Sequence, residues 1–297
     1  MTAAAILSRY PTLYSTRRLQ AVLQERGVDC AILQPERCAM SLQGGAFCLY
    51  YDGRAMAPAQ AVVPRFGSPL TQLGVRLLWH FAAQGSYCLN SGDALLRARD
   101  KFLSLQMLAA ASLPVPDTWY LADTPAGEVA MAQLGMPLVS KLLSGSQGVG
   151  VNLAESRGGA RALVDTLLQL QHETLLQRFL PGREDYRVIV LGGQVLAAMR
   201  RKAGAEEFRS NLHRAGTAEL VDAAELAGSL GEFAVAAVAA LGLDFAGVDL
   251  MADGQGGHVI LEVNPVPSLD GIERVSGIDI AGKVADHVLS HCASASA

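Results

Sequence analysis

The stretch "AGVDLMADGQGGHVILEVNP", residues 246–265, constrains this chain more than any other. Two apolar runs flank a Gly-rich turn, the pattern of an antiparallel hairpin. Asp249, Glu262 and Asn264 interrupt those runs. Strand side chains alternate with a period of two, so Glu262 and Asn264 share a face. In an antiparallel pair Asp249 can lie nearly opposite Glu262. Burying an unpaired carboxylate costs roughly several kcal/mol, and two adjacent carboxylates repel until one takes up a proton. A divalent cation would resolve both problems, since Mg²⁺ takes few protein oxygens and completes its shell with water and phosphate. Three solvated residues on an exposed face are the plainer alternative.

The first third of the chain alternates strand and helix patterns. "AAILS", "VDCAILQP" and "AQAVVPRFG" read as strands, and "TRRLQAVLQERG" and "TQLGVRLLWHFAAQG" as helices stopped by Gly. This predicts an open α/β domain with a largely parallel sheet. "DALLRARDKFLSLQMLAAASLPVPDTW" then reads as one long helix ended by Pro114 and Pro116. "MPLVSKLL" and "VNLAES" are strands around the turn "GSQGVG", "ARALVDTLLQLQ" is a helix and "ETLLQRFLP" a strand. "YRVIVLGGQVLAAMRRK" is a hairpin turning at Gly192-Gly193. "AAELAGSLGEFAVAAVAALGL" is an Ala-rich helix and "DIAGKVADHVLSHC" a final one. Hairpins with helices predict α+β subdomains after the first third.

Half of the residues are hydrophobic, enough for a substantial core. The net charge of −4 gives no general drive toward nucleic acid or an anionic membrane, so an anionic ligand needs a local cationic cluster. The N-terminus lacks a basic signal-like region, and "FAVAAVAALGL" is shorter than the roughly 20 residues that span a bilayer. Five scattered cysteines with no C-x-x-C fit a reduced cytoplasmic compartment.

Three further clusters complement the acidic hairpin. The loop holding Gly145, Ser146, Gln147 and Gly148 can offer backbone N–H groups to phosphate, although it is neither a Walker A loop nor a Rossmann fingerprint. Lys141 lies on the strand before it, and Lys101 heads an earlier helix segment. "RRKAGAEEFRSNLHR" concentrates Arg200, Arg201, Lys202, Arg209 and Arg214 in an acidic protein, suited to carboxylate or phosphate. Together these describe an ATP site with bound Mg²⁺ and an anionic substrate.

The motifs "RARDKFLSLQ", "PLVSKLLSGSQGVGV", "LLQRFL", "DYRVIVLGG", "EFRSNLHRAG", "GLDFAGVDL", "LEVNPVPSLDGIE" and "GIDIAGK" resemble the ATP-grasp fold and, within it, the RimK-type α-L-glutamate ligases. The resemblance covers nearly the whole chain. It implies an N-terminal pre-ATP-grasp α/β domain (1–97), a central ATP-grasp subdomain with the Gly-rich loop (98–186) and a C-terminal subdomain with the metal site (187–292). It implies amide formation through an acyl phosphate, which turns a poor leaving group into a good one. By resemblance Lys101, Lys141, the Gly loop and Asp185 contact ATP, and Gln177, Arg178, Phe179 and Leu180 form the adenine hinge. Arg209, Ser210 and Asn211 lie at the phosphate end, with Arg187 and Arg201 toward the acyl phosphate or substrate. Asp249, Glu262 and Asn264 hold Mg²⁺, or Mn²⁺ in its place, as two ions bridged by Glu262. The implied substrates are L-glutamate and a carboxylate acceptor, either a protein C-terminus such as a ribosomal protein's or a small cofactor. The expected enzyme is a cytoplasmic homo-oligomer with no direct nucleic-acid or membrane partner.

Departures from the family pattern fall mostly on the acceptor side. Arg178 stands where a Glu is usual, Ala215 where the first Gly of H-R-G-G is usual, and Pro265 to Ser268 replace small-Ser-Pro-Gly. A ligase for another amino acid or amine, a kinase that stops at the acyl phosphate, and a non-catalytic ATP-binding relative are the competing readings.

Overall fold

The computed structural model describes residues 3–122, 124–143, 150–182, 184–202 and 217–294. The N-terminal strands form the expected parallel sheet, in the order Asp29–Leu33, Ala3–Leu7, Ala61–Pro64, Tyr87–Cys88. Its central strand is apolar on both faces, as a covered parallel sheet requires: Ile6 and Leu7 are fully buried. Leu19, Val22 and Leu23 of helix Tyr14–Glu25 share one core with Val284, Ala285 and Val288 of the C-terminal helix Ile280–Ser294. The chain's end thus packs back on its beginning. A three-stranded antiparallel sheet, Cys38–Gln43, Ala46–Tyr51 and Arg54–Met56, is added to this region. Its first two strands, CAMSLQ and AFCLYY, carry an apolar pattern and turn at Gly44-Gly45, a hairpin signal that was not singled out from the sequence.

The long helix expected after residue 92 is two helices, Gly92–Arg99 and Lys101–Ala110. Asp100 breaks it. Its backbone is extended (ψ 107°) and its carboxylate accepts from the amides of Phe102 and Leu103 at 3.0 and 2.9 Å, an N-cap that restarts the helix with Lys101 in first position. The Ala-rich helix is also interrupted. Gly228 adopts a non-helical conformation between Ala223–Glu225 and Gly231–Ala240, where a residue without Cβ bends cheaply. The run Ala223–Leu241 is long and apolar enough to cross a membrane. Here it packs on a sheet instead, burying Leu230, Ala234, Ala237 and Val238 against Val188, Val190, Val248 and Ile260.

The central strands form an antiparallel sheet in the order Val151–Ala154, Leu138–Leu142, Thr174–Arg178, Thr118–Leu121, backed by helices Thr124–Leu134 and Arg157–Gln169. The third large sheet is antiparallel and five-stranded, in the order Thr217–Leu220, Gln194–Lys202, Glu184–Leu191, Phe245–Ala252, His258–Asn264. Gly192 and Gly193, at φ 55° and 75°, make the two-residue turn of its first hairpin, a conformation that Gly adopts without strain.

Asn90 ties the N-terminal unit to this sheet. Its side-chain amide donates to the carbonyls of Phe245 and Pro265 at 2.7 and 2.8 Å, and its Oδ1 accepts from the amides of Asp244 and Phe245. The bonded groups fix the position of the loop that leaves Asn264.

Candidate active site

Strand register builds the site. Asp249 lies directly opposite Glu262, and Gly247 opposite Asn264, in the hairpin anticipated from the sequence. Arg187 lies opposite Asp249 on the other side, and Arg201 opposite Asp185. Asp185, Arg187 and Ile189 share one strand face by the period of two, and Ile189 is buried in the core that joins the sheet to the N-terminal unit. The charged row therefore extends the face that packs toward that unit.

The row alternates in sign. Arg201 donates to both oxygens of Asp185 at 2.6 and 2.7 Å, and Arg187 to both oxygens of Asp249 at 2.8 and 2.7 Å. Arg201 also reaches Asp249 at 3.1 Å. Bidentate pairing of this kind is the strong form of a buried ion pair. Burial pushes the Asp249 carboxyl up, but Arg187 and Arg201 outweigh it and hold it at about 2. Burial likewise opposes the Arg201 charge, and Asp249 and Asp185 overcome it, raising that group above its usual range. Two arginines against Asp185, Asp249 and Glu262 leave one negative charge over. Glu262 carries it: this carboxylate is exposed, with no hydrogen bond or ion pair among the described residues.

Two lysines face that surplus charge. Lys141 projects from strand Leu138–Leu142, and Lys101 donates to the carbonyl of Leu143 at 2.7 Å. Burial depresses the pKa of both, and the field of Glu262 partly restores each. The two ammonium groups also repel, which lowers Lys141 further. Cations buried in this way gain from an incoming anion such as a phosphate.

The hinge segment is mixed. Gln177 is buried and donates to Thr118 Oγ1 at 2.8 Å, Arg178 turns outward to Asp117 at 2.7 Å, and Phe179 and Leu180 are half-buried. Its side chains are engaged with the neighbouring strand, leaving Phe179 and Leu180 as apolar surface. Asp185, expected at the nucleotide, has both oxygens on Arg201, so its direct action is to orient that arginine. Gly145, Ser146, Gln147, Gly148, Arg209, Ser210 and Asn211 lie outside the described residues.

The oxygen donors suit Mg²⁺. Among the described residues no three His, Cys, Asp or Glu side chains cluster as a ligand set. Glu262 and the Asn264 amide oxygen are instead a small hard set, of the kind that Mg²⁺ supplements with water and phosphate. Both Asp249 oxygens already accept from arginines, three bonds that leave it one lone pair for a metal. Asn264 Oδ1 accepts one bond, from the amide of Val266 at 3.0 Å, and keeps a second lone pair. Glu262 has both oxygens available.

Arg65 and Arg99 were not singled out from the sequence. Arg65 donates to the carbonyl of Pro267 at 2.8 Å, and Arg99 to Thr71 Oγ1 at 3.0 Å and the carbonyl of Phe66 at 2.6 Å. They stand inside "VVPRFG" and "RARDKF", where an arginine amid apolar or helical residues was the available signal.

Comparison with known proteins agrees in both halves of the chain. Residues 3–95 match a RimK PreATP-grasp domain and residues 98–288 a RimK-like ATP-grasp domain. The chain is 42% identical over 292 residues to a probable alpha-L-glutamate ligase of Enterobacter sp. (strain 638), covering 97% of this chain and 95% of that one. It is 40% identical over 291 residues to a ribosomal protein bS6–L-glutamate ligase of Salmonella paratyphi B, with the same coverage. In fold it resembles the ATP-grasp ligase PsnB solved with a minimal precursor variant, Mg and ADP (TM-score 0.76, 21% identity, 98% of each chain). It also resembles the D-alanine–D-alanine ligase of Bacillus anthracis with ATP (TM-score 0.74, 18% identity, 99% of this chain and 98% of that one).

Proposed function

The chain belongs to the RimK-like ATP-grasp family of ATP-dependent carboxylate–amine ligases, and on that premise we propose that it adds L-glutamate to the C-terminal carboxylate of a protein or peptide. The observation that carries the reading is the charged row ending in Glu262, whose surplus negative charge faces Lys141 and Lys101.

In the proposed reaction an acceptor carboxylate oxygen attacks the γ-phosphorus of ATP and ADP leaves. The amine nitrogen of glutamate then attacks the acyl carbon, phosphate departs with the C–O electron pair, and the nitrogen gives up a proton to form the amide. No covalent enzyme intermediate is required. Lys141 and Lys101 hold phosphate oxygens, and the segment Gln177 to Leu180 borders adenine. Arg187 and Arg201, kept in place by Asp249 and Asp185, present positive charge to the acyl phosphate. Arg209, Ser210 and Asn211 are proposed at the same phosphate end. Asp249, Glu262 and Asn264 would hold Mg²⁺, as one ion or two, and the metal would neutralise charge on the phosphates. Most of this contribution is positioning and preorganised electrostatics. Cys30, Cys38, Cys48 and Cys88 form no disulfide among the described residues, which supports work in a reducing cytoplasm.

The test is ADP release and product mass with ATP, Mg²⁺, L-glutamate and either C-terminal peptides or small carboxylates. Equal amounts of ADP and glutamyl-peptide are expected. Glutamylation of small carboxylates alone would move the acceptor to a cofactor. ADP formation without any amine would indicate a kinase, and no ADP with any pair a non-catalytic relative.

A further inference from the structure

Two arginines stand at the junction of the N-terminal unit and the loop after Asn264. Arg65 and Arg99 make no ion pair among the described residues, and Arg65 Nε is buried with no hydrogen-bond partner among them. They are close neighbours, since Arg99 donates to the carbonyl of Phe66, the residue after Arg65, and its guanidinium lies over the Phe66 ring at 5.8 Å. Burial lowers both pKa values to about 10; Arg99 adds to the effect on Arg65, and the field of Glu262 partly restores Arg99. A guanidinium carries five N–H donors. Among the described residues Arg65 uses one and Arg99 two, so both retain donors there in a planar fork suited to a carboxylate.

Position shows where the anion would come from. Arg99 and Lys101 line a cleft of about 1110 Å³ together with Asp93, Asp100, Leu143 and Glu173. Arg65 holds Pro267, three residues past the oxygen donor Asn264. Arg99 thus opens on the cleft, and Arg65 beside it holds the loop that leaves the site.

We propose that Arg65 and Arg99 form a recognition site for a substrate carboxylate that is not phosphorylated. This rests on the ligase reading for the identity of the substrate. The carboxylate belongs either to the incoming amino acid or to the last residues of the acceptor, and in both cases the site selects an anionic substrate over its neutral amide. Arg99 acts by direct contact, and Arg65 acts both by contact and by fixing the Pro267 loop.

The test is equilibrium binding to the full chain with Mg²⁺ and a non-hydrolysable ATP analogue. L-Glutamate and a glutamate-terminated peptide are each compared with their carboxamides, on wild type, Arg99→Gln, Arg99→Lys and Arg65→Lys. For one ligand, wild type should prefer carboxylate over carboxamide by at least about tenfold, and Arg99→Gln should abolish that preference while leaving nucleotide binding unchanged. Which ligand responds assigns the carboxylate to the amino acid or to the acceptor. Should Arg99→Gln fail to fold, Arg99→Lys keeps the charge, loses the fork and should reduce the same preference. An unchanged carboxylate-to-carboxamide ratio in every folded variant would overturn the proposal. Absence of amide synthesis by wild type, with the binding preference intact and lost in Arg99→Gln, would refute the ligase reading and leave the carboxylate site standing.

Discussion

Arg201 meets Asp185 from the directly opposing strand position, with Nε and Nη2 each on one carboxylate oxygen, and only 2% of its side chain is exposed. Removing Asp185 leaves the buried Arg201 with only Asp249, at 3.1 Å and already shared with Arg187. Asp185→Asn should cost about 3 kcal/mol or more, read as a lower urea midpoint at unchanged slope. The double variant Asp185→Leu with Arg201→Met should lose much less stability than the sum of its single changes while remaining inactive. Additive losses would show that the pair is not the energetic unit.

Acid sensitivity follows from Asp249. Its folded pKa of about 2 lies below the ordinary value of 3.8. The stabilisation is therefore complete above pH 4 and disappears as the pH falls toward 2, on the order of 2 kcal/mol for this group. Denaturation midpoints of wild type and Asp249→Asn across that range should converge at the acid end. A constant gap would refute the assignment.

Glu262 separates metal binding from folding. Being exposed and unpaired among the described residues, it contributes little to stability. Glu262→Gln should leave the melting temperature in place and raise the Mg²⁺ concentration required by more than about tenfold, measured as ADP formation against Mg²⁺ concentration.

Lys141 trades stability for ligand affinity. Burial lowers its pKa in the folded state, so carrying the proton at neutral pH costs stability that returns only as the group is neutralised. Lys141→Met should raise the melting temperature of the ligand-free protein and weaken ATP binding. A fall in both would mean the lysine is held by contacts that outweigh its burial.

Gly74 is required by its neighbour. A Cβ there would meet the Phe66 ring at 2.2 Å, and Phe66 in turn underlies Arg99. Gly74→Ala should cost about 1–3 kcal/mol through overpacking and lower carboxylate affinity in the binding assay above. A neutral effect on both would show that the ring moves freely.

Local pattern determined the hairpins, the parallel N-terminal sheet and the meeting of Asp249 with Glu262, because strand alternation and Gly turns are properties of short stretches. The break at Asp100 was legible in principle, since an acidic residue ahead of "KFL" is an N-cap signal, but helical periodicity continued across it. The pairing of Arg201 with Asp185, and of Arg187 with Asp249, was decided by register between strands. Arg65 and Arg99 were hidden for the same reason: their charges acquire meaning only where the N-terminal unit meets the loop after Asn264. Charge interacts through space, at distances the order of residues does not encode, so tertiary packing alone chose which groups were neutralised and which were left waiting for a ligand.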